Sequence, residues 1–201
     1  MRSQVIPMKD SQWTKAIQAR MEPFFGNERF YLQWKHLLVS KDQDIRELEK
    51  KWGAILKKKM KDSFLSPLPF VSLSHTWDGS ELWFFVLGAT IPIGVDLEKK
   101  NRKVYPKLKD RICSFLEKRF HLGVLEYWVL KEASFKVCFP NNQYHLLMDY
   151  EIVHWNAQTQ SGRVHSKYGV EIQVALFSIG PWWIGLAKKV QEVDFKGIRL
   201  G

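Results

Sequence analysis

The chain has 201 residues, of which 45% are hydrophobic and 26% are charged, and this composition excludes a disordered, collagen-like or coiled-coil chain as a description of the whole sequence. Lysine and arginine number 31 against 21 acidic residues, which gives a net charge of +10. A surplus of this size favours an anionic partner: nucleic acid, an acidic protein, a polyphosphate ligand or an anionic membrane surface.

Cysteine content and hydropathy indicate a cytoplasmic protein. Cys113 and Cys138 are too few for a disulfide framework or a zinc site, and they fit a reducing compartment. No apolar signal-peptide core follows the first residues. The longest uncharged stretch, residues 82–95, contains Gly and Pro and is shorter than the ~20 apolar residues that a membrane span needs.

The first third of the chain predicts helices. Residues 11–21 are amphipathic, and Pro23 is expected to end that helix. Residues 29–39 predict a second helix, and Ser40 and Asp42 are candidate caps of a third. The apolar residues at helical spacing are Phe30, Trp34, Leu37 and Leu38 in the second helix and Ile45, Leu48, Trp52 and Leu56 in the third.

The middle of the chain changes to the periodicity of strands. Apolar runs at residues 70–73, 82–87 and 91–97 predict three strands, preceded by a loop at residues 66–69. Asp78-Gly79 is a turn signal between the first two strands. This part of the chain therefore predicts a small antiparallel sheet.

The rest of the chain repeats the order of helices followed by strands. Residues 105–119 and 124–137 predict helices separated by Gly123, and three strands are expected in the tail. Because β-strands and helices do not alternate, we expect an α+β fold rather than a parallel doubly wound sheet. The predicted tail strands are residues 144–155, 170–179 and 182–189, with turns at Ser161-Gly162 and Gly180-Pro181.

A first candidate site lies at the end of the third predicted strand. Residues 93–98 read Ile-Gly-Val-Asp-Leu-Glu. Side chains alternate along a strand, so Asp96 and Glu98 share one face with Gly94. Two such carboxylates suit Mg²⁺, which takes one or two protein carboxylates together with phosphate oxygens. Taken alone, the pattern is more typical of solvated acids at a strand end.

A second candidate site lies on the helix predicted for residues 124–137. Trp128, Glu132 and Lys136 are four residues apart and therefore share one face of this helix. Taken alone, the Glu–Lys spacing is more typical of a surface ion pair.

A third candidate site is the strand end Ser74-His75, where hydroxyl, imidazole and backbone N–H groups could bind phosphate oxygens. A Ser-His-Asp triad through Asp78 lacks the G-x-S-x-G signature and is not favoured.

Together the three motifs resemble the 4′-phosphopantetheinyl transferase superfamily. The family pattern is a Ser-His strand end, then hydrophobic-Gly-hydrophobic-Asp-x-Glu, then Trp-x-x-Lys-Glu-(Ala/Ser)-x-x-Lys. The match covers about residues 70–140, and the chain length resembles the monomeric surfactin-synthetase type. The matching segments are Leu73-Ser74-His75, Ile93-Gly94-Val95-Asp96-Leu97-Glu98 and Trp128-Val129-Leu130-Lys131-Glu132-Ala133-Ser134-Phe135-Lys136.

The resemblance implies a fold and an activity. The fold would be two similar α+β halves, residues 1–99 and 100–201, related by a pseudo-two-fold axis, each with a small mostly antiparallel sheet packed on helices. The active site would lie between the halves. The activity would transfer 4′-phosphopantetheine from coenzyme A to a serine of an apo acyl carrier protein or carrier domain of a fatty-acid, polyketide or nonribosomal-peptide synthase. The products would include 3′,5′-ADP, and a divalent cation, Mg²⁺ or Mn²⁺, would be required.

The resemblance also implies a role for each matching residue. By position, Asp96, Glu98 and Glu132 would hold the metal against the diphosphate, and Glu132 would also act as general base. Asp96 would thus be catalytic together with Glu132 and Lys136.

Four residues would contact the substrate by the same resemblance. Ser74 and His75 would bind the phosphates of coenzyme A. Lys136 would neutralise the leaving phosphate, and Lys131 would lie nearby.

Two other functions are consistent with parts of the sequence. A non-catalytic nucleic-acid-binding protein would explain the basic charge, including the seven Lys or Arg of residues 99–111, but acids facing a phosphate backbone would oppose binding. A catalytically inactive transferase homologue is disfavoured because every motif carboxylate and lysine is present. We therefore expect a monomeric transferase with neither nucleic acid nor membrane as its partner.

Overall fold

The computed structural model describes residues 10–40, 42–62, 68–77, 79–105, 107–138 and 146–190. These residues form an α+β fold with two antiparallel sheets, which confirms the predicted fold class. The elements are α1 (Asp10–Phe25), β1 (Phe30–Leu38), α2 (Ile45–Asp62), β2 (Phe70–Trp77), β3 (Glu81–Ala89), β4 (Ile93–Lys99), α3 (Leu108–Ile112), a 3₁₀ helix (Glu117–Phe120), α4 (Val124–Cys138), a second 3₁₀ helix (Leu147–Asp149), β5 (Tyr150–Asn156), β6 (Ser161–Ser166), β7 (Glu171–Ile179) and β8 (Trp182–Lys189).

The two sheets meet where β2 lies beside β4. The first sheet has the order β1-β3-β2, and the second has the order β4-β8-β7-β6-β5. Between them, the Oγ of Ser72 accepts a hydrogen bond from the Val95 N–H at 3.0 Å, and the Oγ of Ser74 accepts one from the Leu97 N–H at 3.0 Å. Because both positions advance together, β2 and β4 run parallel. Serine hydroxyls thus satisfy backbone N–H groups of β4 at this seam.

Three hydrophobic clusters hold the helices against the sheets. The first contains α1 residues packed with β1, β4 and β8, the second joins α4 to the five-stranded sheet, and the third joins α2 to β3. Each helix therefore buries one apolar stripe against a sheet face. None of the helices within the described ranges has a stretch long and apolar enough to cross a bilayer.

The predicted helix over residues 29–39 is wrong, because this segment is strand β1. It pairs antiparallel with β3 over its whole length, from Phe30 opposite Ala89 to Leu38 opposite Glu81. A spacing of four residues fits one face of a helix and also one face of a strand, because four is a multiple of two. The apolar run of β3 needs hydrogen-bonded neighbours on both edges, and β1 supplies the second of them.

Two helix boundaries also differ from the prediction. α1 continues through Pro23 and ends at Phe25, where Gly26 adopts the left-handed φ of 60° that commonly follows a helix. α2 is capped by Asp44 rather than by Ser40 or Asp42. The Oδ1 of Asp44 accepts hydrogen bonds from the backbone N–H groups of Arg46 at 2.8 Å and Glu47 at 3.2 Å.

The second half of the chain also shows differences. The helix predicted over residues 105–119 is reduced to α3 and a 3₁₀ helix, and Ser161-Gly162 begins β6 instead of forming a turn. Gly162 is needed inside β6 because a Cβ there would lie 2.3 Å from the carbonyl oxygen of His154. The strands predicted at residues 70–73, 82–87 and 91–97 and the helix predicted over residues 124–137 are confirmed. Predictions that involve Ser66-Pro67, Asp78 and residues 144–145 lie outside the described residues.

α4 packs unusually close to the second sheet, and two glycines permit this approach. A Cβ on Gly94 of β4 would lie 1.9 Å from the carbonyl oxygen of Ala133, and one on Gly185 of β8 would lie 2.5 Å from that of Val129. Real Cβ atoms do not approach backbone atoms so closely. The glycine of the Gly-x-Asp-x-Glu motif therefore sets the distance between α4 and the carboxylates of β4.

We expect Gly94→Ala to destabilise the protein by ~1–3 kcal/mol, because α4 must move away from β4 to admit the methyl group. Urea unfolding measured by circular dichroism gives this free energy. Gly53→Ala is the matched control: it lies in α2 and its Cβ would meet only Leu73 Cδ1 at 3.8 Å. Since alanine favours helix over glycine, this control should stabilise by up to ~1 kcal/mol. Equal effects of the two substitutions would contradict the packing argument.

Candidate functional site

The predicted motifs of β2, β4 and α4 come together at the seam between the sheets. The Nζ of Lys136 on α4 donates to the carbonyl oxygen of Val95 at 2.9 Å and to Oδ1 of Asp96 at 2.8 Å. From the other side, the hydroxyl of Ser74 on β2 donates to the same Oδ1 at 2.9 Å. Asp96 therefore joins all three segments.

Asp96 is buried, with 6% of its surface exposed, and only one of its two carboxylate oxygens is paired. Oδ1 takes both hydrogen bonds, whereas Oδ2 is buried and has no hydrogen-bond partner among the described residues. Burying a carboxylate oxygen without a partner is costly. This arrangement is typical of a group held ready for a ligand.

Glu98 repeats this arrangement at the end of β4. Arg102 donates to its Oε1, while its Oε2 is buried without a partner among the described residues. Burial, and then repulsion from Asp96, raise the pKa of Glu98 to about 7, although Arg102 and Lys136 act in the opposite direction. The two unpaired oxygens thus belong to adjacent inward-facing residues of one strand.

Glu132 is the third carboxyl group of the site. It is half-buried on α4, one turn before Lys136. Burial is the main cause that raises the pKa of Glu132, and repulsion from Asp96 adds to it, while Lys136 opposes the shift. The electrostatic influence of Asp96 on both glutamates shows that the three carboxyl groups share one region.

This donor set fits a hard divalent cation. Hard cations prefer oxygen ligands, and Mg²⁺ keeps water and phosphate oxygens beside one or two carboxylates. The unpaired Oδ2 of Asp96 and Oε2 of Glu98 are donors of this kind. Within the described ranges, however, no group of three or more His, Cys, Asp or Glu side chains is placed so that it could hold a metal ion.

Ser74 lies in the site but faces Asp96. It is 3% exposed, and its hydroxyl donates to Asp96 while it accepts from the Leu97 N–H. Its position therefore suits holding Asp96 more than contacting a phosphate. Sequence reasoning missed the related role of Ser72, although alternating serines on a strand, two residues apart, are a signal for two hydroxyls on one face.

His75 lies at the edge of the site, on the exposed part of β2. Its Nδ1 is 3.2 Å from Oε1 of Glu49 on α2, a residue that the sequence analysis did not single out. Burial lowers the pKa of His75 and is the largest influence on it, whereas the Glu49 carboxylate acts to raise it.

Lys131 does not lie with the other candidate residues. It is completely buried, and its Nζ lies 2.8 Å from the carboxylate of Glu117, which is also buried. This carboxylate also accepts hydrogen bonds from the N–H groups of Ser114 and Ile152. The prediction that Lys131 binds coenzyme A is therefore corrected: its ammonium group is used inside the second half of the chain. Consecutive helix residues differ by ~100° in direction, so Lys131 and Glu132 face different sides of α4.

Two cavities adjoin the site. A groove of about 910 Å³ lies beside Lys136 and the beginnings of β2 and β4, and a smaller cavity of about 540 Å³ lies beside His75 and Arg102. The groove combines apolar walls with lysines. Its lining includes Lys57, Lys61, Phe70, Phe135, Lys136 and Lys189.

We expect Glu98 to make stability depend on pH. Its pKa rises from 4.5 to about 7 on folding, so the folded state holds the proton more tightly than the unfolded state. Protonation of Glu98 therefore stabilises the folded state. This stabilisation is complete below the pKa of Glu98 in the unfolded state and is lost as pH rises through its pKa in the folded state. Relative to Glu98→Gln, the wild-type protein should therefore lose stability between pH ~4.5 and ~7. Urea unfolding of both proteins in EDTA measures this difference, and parallel pH profiles would contradict it.

Comparison with known proteins adds no family assignment. No protein-family model matches the chain, and no curated protein sequence matches it.

Proposed function

We propose that the protein transfers 4′-phosphopantetheine from coenzyme A to a serine of an apo acyl or peptidyl carrier protein and releases 3′,5′-ADP. The observation that supports this most is the meeting of three carboxyl groups and Lys136 at one seam, with two buried carboxylate oxygens left unpaired. Phosphoryl transfer needs such positioning and charge neutralisation more than it needs covalent chemistry.

Asp96, Glu98 and Glu132 would hold Mg²⁺, or Mn²⁺, with the diphosphate of coenzyme A. The bound ion would polarise the phosphoryl oxygens and neutralise developing charge. Without a cation, three carboxylates would repel a polyphosphate. The raised pKa values of Glu98 and Glu132 are consistent with this, because they report carboxyl groups whose charge lacks compensation.

Glu132 would accept the proton of the attacking serine. The serine oxygen forms a bond to the pantetheine-side phosphorus, and the bond from that phosphorus to the bridging oxygen of 3′,5′-ADP breaks. A carboxyl group with a raised pKa is a stronger base than an exposed one, which suits this task near neutral pH.

Lys136 would bind the leaving phosphate. An ammonium group has three protons to donate. Two of them are directed to Val95 and Asp96, so a third remains for a ligand oxygen. Fixing the ammonium before the reaction avoids the cost of orienting it as charge develops.

The same proposal extends to the architecture. Residues 1–99 and 100–201 would be two similar halves related by a pseudo-two-fold axis, with the active site between them. Both halves combine helices with antiparallel strands, which supports the idea, although β1 lies between the two helices of the first half. The carboxylates of β4 belong to the first half, and Glu132 with Lys136 belongs to the second.

Intact mass spectrometry of an apo acyl carrier protein, incubated with this protein, coenzyme A and Mg²⁺, tests the proposal. We expect a gain of ~340 Da per carrier that EDTA prevents, as metal-assisted phosphoryl transfer requires. Several carriers of fatty-acid, polyketide and peptide synthases should be tried, because carrier preference is open. No gain with any carrier, together with no Mg²⁺-dependent binding of coenzyme A, would reject the proposal.

The alternative of a basic nucleic-acid-binding protein predicts a different result. Binding to nucleic acid would weaken steeply with salt and would not require a divalent ion. An inactive transferase homologue would bind coenzyme A with Mg²⁺ but would modify no carrier.

A further inference from the structure

Glu49 and His75 meet across the smaller cavity, from two different elements. Glu49 lies on α2 and His75 on β2, and both line the cavity of about 540 Å³. Oε1 of Glu49 is 3.2 Å from Nδ1 of His75. The cavity also has several hydrogen-bond donors and an exposed indole on its walls. These other lining residues are Thr76, Trp77, Lys99, Asn101 and Arg102.

The Glu49 carboxylate points to an imidazole although its own helix offers many cations. α2 carries seven lysine and arginine residues, and yet Glu49 pairs with His75. The Glu49 side chain is 25% exposed, so it lies on the part of α2 that faces β2, whereas Glu47 is exposed. The contact is thus a specific one between the two elements.

The cavity opens beside the carboxylates of the candidate site. Arg102 lines it and donates to Glu98, and Ser74, the residue before His75, donates to Asp96. Asp96 and Lys136 both act electrostatically on His75. A phosphate bound in this cavity would have both Arg102 and His75 on its walls.

We propose that Glu49 is a positioning residue that fixes the His75 ring, so that Nε2 faces a phosphate oxygen of coenzyme A. This inference rests on the proposed function. A carboxylate at one ring nitrogen sets both the rotation and the tautomer of a histidine and leaves the other nitrogen for the ligand. With Nδ1 held by Glu49, that other nitrogen is Nε2.

The bound state would place the imidazolium between two anions. One N–H donates to Glu49 and the other donates to the phosphate. Burial is the largest influence on this ring and lowers its pKa; Glu49 on α2 and Asp96 on β4 favour its cation, while Lys136 on α4 opposes it. Glu49 makes direct contact with the ring, at 3.2 Å.

The first test is the tautomer of His75 read from long-range ¹⁵N–¹H correlations of the ¹⁵N-histidine-labelled full chain, with His75→Ala to assign the signal among six histidines. At a pH where His75 is neutral, we expect the Nδ1–H form in the wild-type protein. Glu49→Ala should restore the Nε2–H form that free histidine prefers, and Glu47→Gln on the same helix should change nothing. A wild-type ring already in the Nε2–H form, or a tautomer insensitive to Glu49→Ala, would overturn the inference.

The second test is the affinity for coenzyme A, measured by isothermal titration calorimetry with Mg²⁺ and no acceptor. Loss of one charge-assisted hydrogen bond should weaken binding ~10-fold in Glu49→Ala and in His75→Ala. Because one residue acts through the other, the double variant should also lose only ~10-fold. Glu49→Gln, which keeps an acceptor, should recover part of the affinity. Additive losses, or full affinity in Glu49→Ala, would reject a role of Glu49 through His75.

The two proposals fail in distinguishable ways. If the wild-type protein does not bind coenzyme A, the transferase proposal and the ligand named here both fail, whereas the tautomer still reports whether Glu49 orients His75. The other case is that the wild-type protein binds coenzyme A and transfers 4′-phosphopantetheine, but the Glu49→Ala protein has the same His75 tautomer and the same affinity for coenzyme A. Only the positioning role of Glu49 is then overturned.

Discussion

Replacing Glu132 with glutamine is expected to lower carrier-protein modification by at least ~10³-fold, within the range that general acid–base catalysis contributes. Glutamine keeps the size of the side chain but accepts no proton and binds a divalent cation poorly. Because Glu132 is half-buried and its carboxyl pKa is raised by burial, removing the charge should leave the fold intact or stabilise it slightly. Single-turnover transfer of the phosphopantetheine group, followed by mass spectrometry, measures the effect.

The control for this substitution is Glu22→Gln, which changes an exposed carboxylate on α1 in the same way. It should keep the wild-type rate. Thermal unfolding of both variants should stay close to that of the wild-type protein, so that a lost rate reports chemistry. A Glu132→Gln protein that retains more than a tenth of the wild-type rate would remove Glu132 from the role of base.

The candidate residues within each motif could be grouped from the sequence because each motif follows a local period. Asp96 and Glu98 alternate with apolar residues along β4, and Glu132 and Lys136 are one helical turn apart on α4. The glycine at position 94 is explained only by the structure, through its contact with the Ala133 carbonyl. The need for glycine at this position thus comes from packing between β4 and α4, which the local spacing of residues in a motif does not indicate.

Other features depend on contacts between distant segments and could not be predicted. The strand character of β1 follows from pairing with β3 about fifty residues later, which a spacing of four residues does not distinguish from a helix. The contact of Glu49 with His75 joins α2 to β2, and the direction of Lys131 depends on Glu117 in a separate 3₁₀ helix. In each of these cases tertiary structure decides between local alternatives.

The buried pair of Lys131 and Glu117 is expected to have the largest effect on stability. Both side chains are 1% exposed, and the Glu117 carboxylate also accepts the N–H groups of Ser114 and Ile152. Lys131→Met leaves this carboxylate buried without its counter-charge, so we expect a loss of ~3–5 kcal/mol. Glu117→Gln leaves the ammonium group buried without a charged partner and should cost a similar amount. Urea unfolding measures both.

The double variant Lys131→Met, Glu117→Gln separates the pair from its surroundings. It removes both charges but keeps an amide oxygen for the two backbone N–H groups, so it should be more stable than either single variant. The exposed pair of Lys118 and Asp110, 3.1 Å apart, is the matched control, and Lys118→Met should cost less than ~1 kcal/mol. If the two single losses simply add in the double variant, the ion pair does not hold α4 to the 3₁₀ helix.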